Sequence, residues 1–144
     1  MYVDERGSAQ ALIRPCDDEG RVRGPWLRGL PPETPEQATA DGETRDREQE
    51  ENWVGWRARG VHTAADVPLF SPLEGWKAET RGPQILRPGY DYLLTIGDPG
   101  DSYVYNGTVT FDARELARLS PGKVLTGDGP MSRDAFEQRA QDEC

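Results

Sequence analysis

The chain has 144 residues, room for one hydrophobic core and not two, and its apolar share of 35% is modest for that length. Acidic residues outnumber basic ones 26 to 17, a net charge of −9, so the surface repels a phosphate backbone and an anionic lipid face alike, and nucleic acid is excluded as a general partner. No apolar run approaches the roughly 20 residues that span a bilayer, so membrane attachment is expected only through an anchor upstream of this chain.

Tyr2-Val3-Asp4 enters a turn at Glu5-Arg6-Gly7, and Ala9 to Arg14 returns from it, an N-terminal β-hairpin ending at Pro15-Cys16. After a polar turn at Asp17 to Gly20, Arg21-Val22-Arg23 alternates and Trp26-Leu27 continues an interrupted strand beyond Gly24-Pro25. Proline there predicts an edge position or a bulge. Residues 31–51 hold three prolines, eight carboxylates, and no Val, Ile, Leu or aromatic residue between Pro31 and Glu51. Such a stretch has too little apolar surface to order itself, and it reads as a flexible acidic surface loop with at most a short solvated helix at Thr34 to Thr39.

Trp53 to Arg57 resumes strand character, with Trp53 and Trp56 on opposite faces. Val67, Leu69 and Phe70 are core candidates, Pro72 to Pro83 reads as loop around Trp76, and Gln84-Ile85-Leu86 as a short strand. Tyr90 to Ile96 is the best strand, with Tyr90, Tyr92, Leu94 and Ile96 on one face. A turn at Asp98-Pro99-Gly100-Asp101 leads to a return strand through Tyr103-Val104-Tyr105 and Thr108 to Phe111, with a bulge or second turn at Asn106-Gly107. Asp112 caps a two-turn helix over Ala113 to Leu119, Lys123-Val124-Leu125 is a last short strand, and Ser132 opens a C-terminal helix to about Asp142. Many short strands with turns between them and helices only late in the chain predict a single mainly β domain over 1–144. Its expected architecture is an antiparallel β-sandwich, immunoglobulin-like or related, with a short helix and a C-terminal helix.

The two cysteines, Cys16 and Cys144, are too far apart for a CxxC pair, and His62 is the one histidine, too few ligands for zinc. Two buried free thiols and a Cys–His nucleophile pair are the alternatives to a Cys16–Cys144 disulfide. A cysteine near a chain end makes most sense as a tether, because chain ends fray unless tied down. The bridge would close a loop of 129 residues, worth about 5 kcal/mol in the chain-entropy model, and persistent disulfides belong to oxidising compartments. The chain is therefore expected to be extracytoplasmic, either secreted or anchored at the cell surface.

No GxSxG elbow, phosphate-cradling loop or GxGxxG is present, and with 26 acidic residues a carboxylate pair arises anywhere by chance. Asp98, Asp101 and Asp128 carry oxygen for calcium but lack EF-hand spacing, and turn chemistry explains the first two better. No catalytic residue, cofactor or metal is assigned. Trp53, beside the acidic segment, and Trp76, in a loop, are the candidates for exposed partner-binding anchors, since an exposed indole stacks on a sugar or fills a protein pocket.

The segments Gly107-Thr108-Val109-Thr110-Phe111, Glu115-Leu116-Ala117-Arg118-Leu119, Ser120-Pro121-Gly122-Lys123-Val124-Leu125 and Ser132-Arg133-Asp134-Ala135-Phe136, with Cys144 and the hairpin ending in Cys16, resemble uncharacterised secreted proteins and lipoproteins of actinomycetes. The resemblance covers both ends, about half of the chain, and not the acidic insertion. It implies an exported domain, tethered by a lipid or a membrane segment upstream, with an immunoglobulin-like or related sandwich and no assigned activity. The expected function is non-catalytic binding of a protein or envelope glycan outside the cytoplasm. The alternative is a small acidic cytosolic protein of the immunity or inhibitor type that covers a basic partner.

Overall fold

A computed structural model describes residues 1–15, 21–72, 74–97 and 107–143. The expected turns at 17–20 and 98–101, the strand at 103–105, Asn106 of the 106–107 bulge and both cysteines lie outside the described residues. The protein is mainly β, an antiparallel sandwich with a C-terminal helix.

The N-terminal hairpin pairs β1 (Tyr2–Val3) with β2 (Ala9–Ile13), Tyr2 opposite Gln10 and Val3 opposite Ala9. Gly7 turns the chain at φ 80°, and the Asp4 carboxylate accepts from the backbone N–H of Arg6 and Ser8. β3 (Arg21–Arg23) and β4 (Trp26–Leu30) form the interrupted strand. β5 (Val54–Arg57) and β6 (Val61–Thr63) run back along it, β5 on β4 and β6 on β3. Pro25 sits in the break rather than in an edge strand: β4 is central, flanked by β5 and by β9 (Asp91–Ile96). The fully buried Pro25 costs the ladder little, because its carbonyl still accepts from the Ala58 N–H at 2.9 Å.

β7 (Ala65–Pro68) completes a three-stranded sheet, β1-β2-β7. The second sheet has five strands, with β8 (Glu79–Arg81) and β10 (Gly107–Phe111) as its edges in the order β10-β9-β4-β5-β8. Its inner face offers Leu27, Trp56, Tyr92, Leu94 and Phe111 to Ala11, Ile13, Val67 and Leu69 of the smaller sheet and its margin, and all share one core. The Trp56 Nε1–H donates to the Leu69 carbonyl at 2.7 Å, and the rings of Phe70 and Tyr92 meet edge to face at 6.0 Å. Those two contacts stitch the layers together.

The acidic segment has the short helix expected at Thr34 to Thr39, but the rest of it is not the loop expected over 31–51. It forms α1 (Pro35–Thr39), boxed by Thr34 and Gln37, and α2 (Gly42–Asn52), capped by Asp41. Neither helix buries a residue, so hydrophobic patterning gave no signal, and caps and polar ties hold them instead. Gln84 to Leu86 is not a strand: Ile85 is 59% exposed, and the Gln84 amide is spent on the carbonyls of Gly55, Arg81 and Gly82. α3 (Ala113–Arg118) starts at Asp112 as expected, and β11 (Lys123–Thr126) pairs with β12 (Gly129–Ser132), which leads into α4 (Arg133–Asp142) capped by Ser132. Met1 joins this hairpin to the N-terminal sheet. Its ammonium donates to the Leu125 carbonyl and its own carbonyl accepts from the Leu125 N–H, both at 2.7 Å.

Candidate interaction face

Neither tryptophan proposed as an exposed anchor is exposed: Trp53 is 8% and Trp76 4% accessible. Trp76 ends a single 3-10 turn, Glu74–Trp76, that folds it onto the core, its ring 6.1 Å from Trp56. A loop position alone therefore did not bring it to the surface.

Trp53 is buried for a different reason. It precedes β5, and positions 53, 55 and 57 share the outer face of the five-stranded sheet while Val54 and Trp56 point to the core. Trp26 lies directly opposite Arg57 on β4. The Arg57 guanidinium sits 4.9 Å from the Trp26 ring centre and 5.9 Å from that of Trp53, and Arg81 covers Trp53 at 5.0 Å. The result is a ladder, Trp26–Arg57–Trp53–Arg81, in which cationic side chains lie across the indoles and keep water off them. Gly55 makes it possible. It takes φ 129°, and a Cβ there would stand 2.1 Å from the Leu27 carbonyl oxygen.

Arg57 is exposed and forms no ion pair with a described carboxylate. Arg81 donates to the Glu50 carbonyl at 2.8 Å, and Arg28 reaches the Glu50 carboxylate at 3.2 Å, so the end of α2 is pinned beside the ladder. At the sheet edge Arg59 pairs with Glu79 at 2.9 Å, and this bond, then its charge, holds the Glu79 carboxyl below the usual range. The motif went unnoticed in the sequence because its four members come from three strands. The alternation Trp53-x-x-x-Arg57 and the cross-strand position of Trp26 were its only traces.

A second polar cluster holds α4. Arg14 grips Glu137 bidentately, Nε to Oε2 at 2.9 Å and Nη2 to Oε1 at 2.8 Å, and reaches Asp66 at 2.7 Å. Arg133 reaches the other oxygen of Asp66 at 2.5 Å and lies 5.0 Å over the Tyr2 ring. Burial pushes the Asp66 carboxyl up, but the hydrogen bonds from Arg14 and Arg133 outweigh it, and it titrates below its ordinary value. Asp128, named as a possible calcium oxygen, is instead held by Arg139 at 2.5 Å. Comparisons with protein-family models, curated proteins and solved structures find no match to this chain.

Proposed function

We infer that this is a non-catalytic, extracytoplasmic binding domain, and that its contact surface is the outer face of the five-stranded sheet around Arg57. The ladder is the observation that carries the reading. Tryptophan and arginine are the residues that dominate protein–protein hot spots, and a guanidinium stacked between two indoles is already oriented for a planar carboxylate. Within a chain of net charge −9, Arg57 stands exposed and bonded to no described carboxylate, Glu79 opposite it feeling its charge but being bonded to Arg59, which suits a protein partner that brings a carboxylate of its own.

Export rests on the cysteine argument and on the resemblance to actinomycete secreted proteins and lipoproteins. It gains support from the clamp on α4. Arg14, two residues before Cys16, is bonded to Glu137, seven residues before Cys144. A Cys16–Cys144 bridge would reinforce a junction the ions already make. Thiol titration of the unfolded, unreduced protein tests it: no free thiol is expected, and two free thiols overturn the export argument.

The contact surface is tested with a photoreactive residue at position 79, opposite Arg57 on β8, against one at position 43 in the first turn of α2. Cross-linking of a single protein from position 79 alone, abolished by Arg57→Glu in a variant of unchanged melting temperature, supports the face. One observation favours the second reading, a basic partner: residues 31–52 hold eight carboxylates and two arginines, two-thirds of the net charge, on helices that bury nothing. Cross-linking from position 43 alone, lost at high salt, selects that reading instead.

A further inference from the structure

A cleft of about 490 Å³ opens between the β1–β2 turn and the start of β11 and α4. That volume is within the usual range for a small-molecule site. Val3 lines it with apolar surface over the buried Val124, and Tyr2, with Arg133 stacked over its ring, adds an aromatic wall. Five charged residues complete the lining: Asp4, Glu5, Arg6, Lys123 and Arg133.

Their charges are not equally available. The Asp4 carboxylate is spent inside the turn, accepting from the N–H groups of Arg6 and Ser8 and from the Gln10 amide at 2.8–2.9 Å. The Ser8 hydrogen bond is the main reason it titrates below the usual range. Arg133 is shared with Asp66. Arg6 and Lys123 are exposed, and neither forms an ion pair with a described carboxylate. Arg6 acts on the Asp4 carboxylate through charge alone, and Glu5 is exposed with no ion pair to a described residue, so the lining keeps two unbonded cations against one unbonded carboxylate beside the aromatic wall.

We propose that this cleft binds a small organic anion, its carboxylate or phosphate held by Arg6 and Lys123 and its flat apolar body laid against Tyr2 and Val3. The anionic group is recognised by charge, the body by burial, so neither half alone binds as well as the two together. The site is separate from the Arg57 face and stands or falls independently of it.

Backbone amide NMR of the whole chain tests the proposal, with phenyl phosphate, benzoate and inorganic phosphate as probes. Saturable shifts at Val3, Arg6 and Val124 are expected with at least one of the two aromatic anions, and about tenfold weaker binding of inorganic phosphate. Whether benzoate or phenyl phosphate binds more tightly tells which anionic group the site takes. The double variant Arg6→Gln/Lys123→Gln changes only exposed side chains, and it is expected to weaken binding about tenfold with the amide spectrum otherwise preserved. Shifts that stay linear, that persist undiminished in the double variant, or that map to Arg57 and Arg81 instead would overturn it.

Discussion

Replacing Arg14 with Met keeps much of the side-chain stem and removes the guanidinium that joins α4 to the N-terminal sheet. Arg14 contributes two bonds to Glu137 and one to Asp66, all at 2.7–2.9 Å, with side chains 24–34% exposed, and longer ones to the carbonyls of Ile13 and Ala65 at 3.1 and 3.4 Å. Neither carboxylate is orphaned by the change, since Arg133 stays bonded to Asp66 at 2.5 Å and lies 3.8 Å from Glu137. The cost is therefore that of lost charge-assisted bonds in a half-wet site, about 2 kcal/mol, above the value of an exposed pair and below that of stranding a buried charge. Urea unfolding followed by circular dichroism at neutral pH and low salt measures it. Hydrogen exchange should show protection falling first in residues 133–142, because α4 buries no residue of its own. The folded-state pKa of Asp66 is depressed, so its part of the clamp is fully present above the unfolded value near 3.8 and disappears as pH falls through the lower folded value. A loss under about 0.5 kcal/mol, or α4 amides as protected as in the parent, would refute the reasoning.

Trp56→Phe removes the indole N–H that serves the Leu69 carbonyl in the core, and is expected to cost about 3 kcal/mol in urea unfolding, from one unsatisfied acceptor and the volume lost. Gly55→Ala forces a Cβ to 2.1 Å from the Leu27 oxygen at φ 129°, so the melting temperature should fall by about 10 °C or more; a fall of a degree or two would mean β4 and β5 can part there. For the chain beginning at Met1, burial lowers the terminal ammonium to about 6 from 8.0, against a smaller opposing pull from Asp66. The native state then binds fewer protons than the unfolded one between those values, so stability rises with pH from 6 to 8, by about 2 kcal/mol. Measured in a His62→Gln background, because imidazoles ordinarily titrate near this range, a flat profile would show that the amine stays solvated.

Elements whose cause is local were legible. Asp112 and Ser132 each cap the helix they precede because a side-chain oxygen meets orphan N–H groups within three residues. The alternation of Tyr92 and Leu94 likewise marks one face of β9, since a central strand has to bury what that face carries. What escaped notice lacks any apolar signature. α2 has a cap and polar ties but no buried face. β8 is an edge strand with all three residues exposed, and β12 contains Pro130. Conversely, Ile85 and Leu86 suggested a strand where a loop is organised by the Gln84 amide. Apolar residues announce burial only when a neighbouring element has a face to receive them.

The same rule explains why the candidate sites were only half visible. Trp53 was singled out as an exposed anchor and is instead buried, because its surroundings depend on Arg57, farther along the same face, and on Arg81 from the neighbouring strand. The clamp joins residues more than a hundred positions apart, Arg14 and Glu137, and no local pattern anticipates it. It also alters the argument from the cysteines. An ionic clamp stabilises the folded state by what it bonds, whereas a Cys16–Cys144 bridge would act mainly by restricting the unfolded chain over 129 residues. The two would act on opposite sides of the folding equilibrium and would not be redundant. A helix with no buried residue needs the first to be positioned at all, and a chain with a thin core gains most from the second.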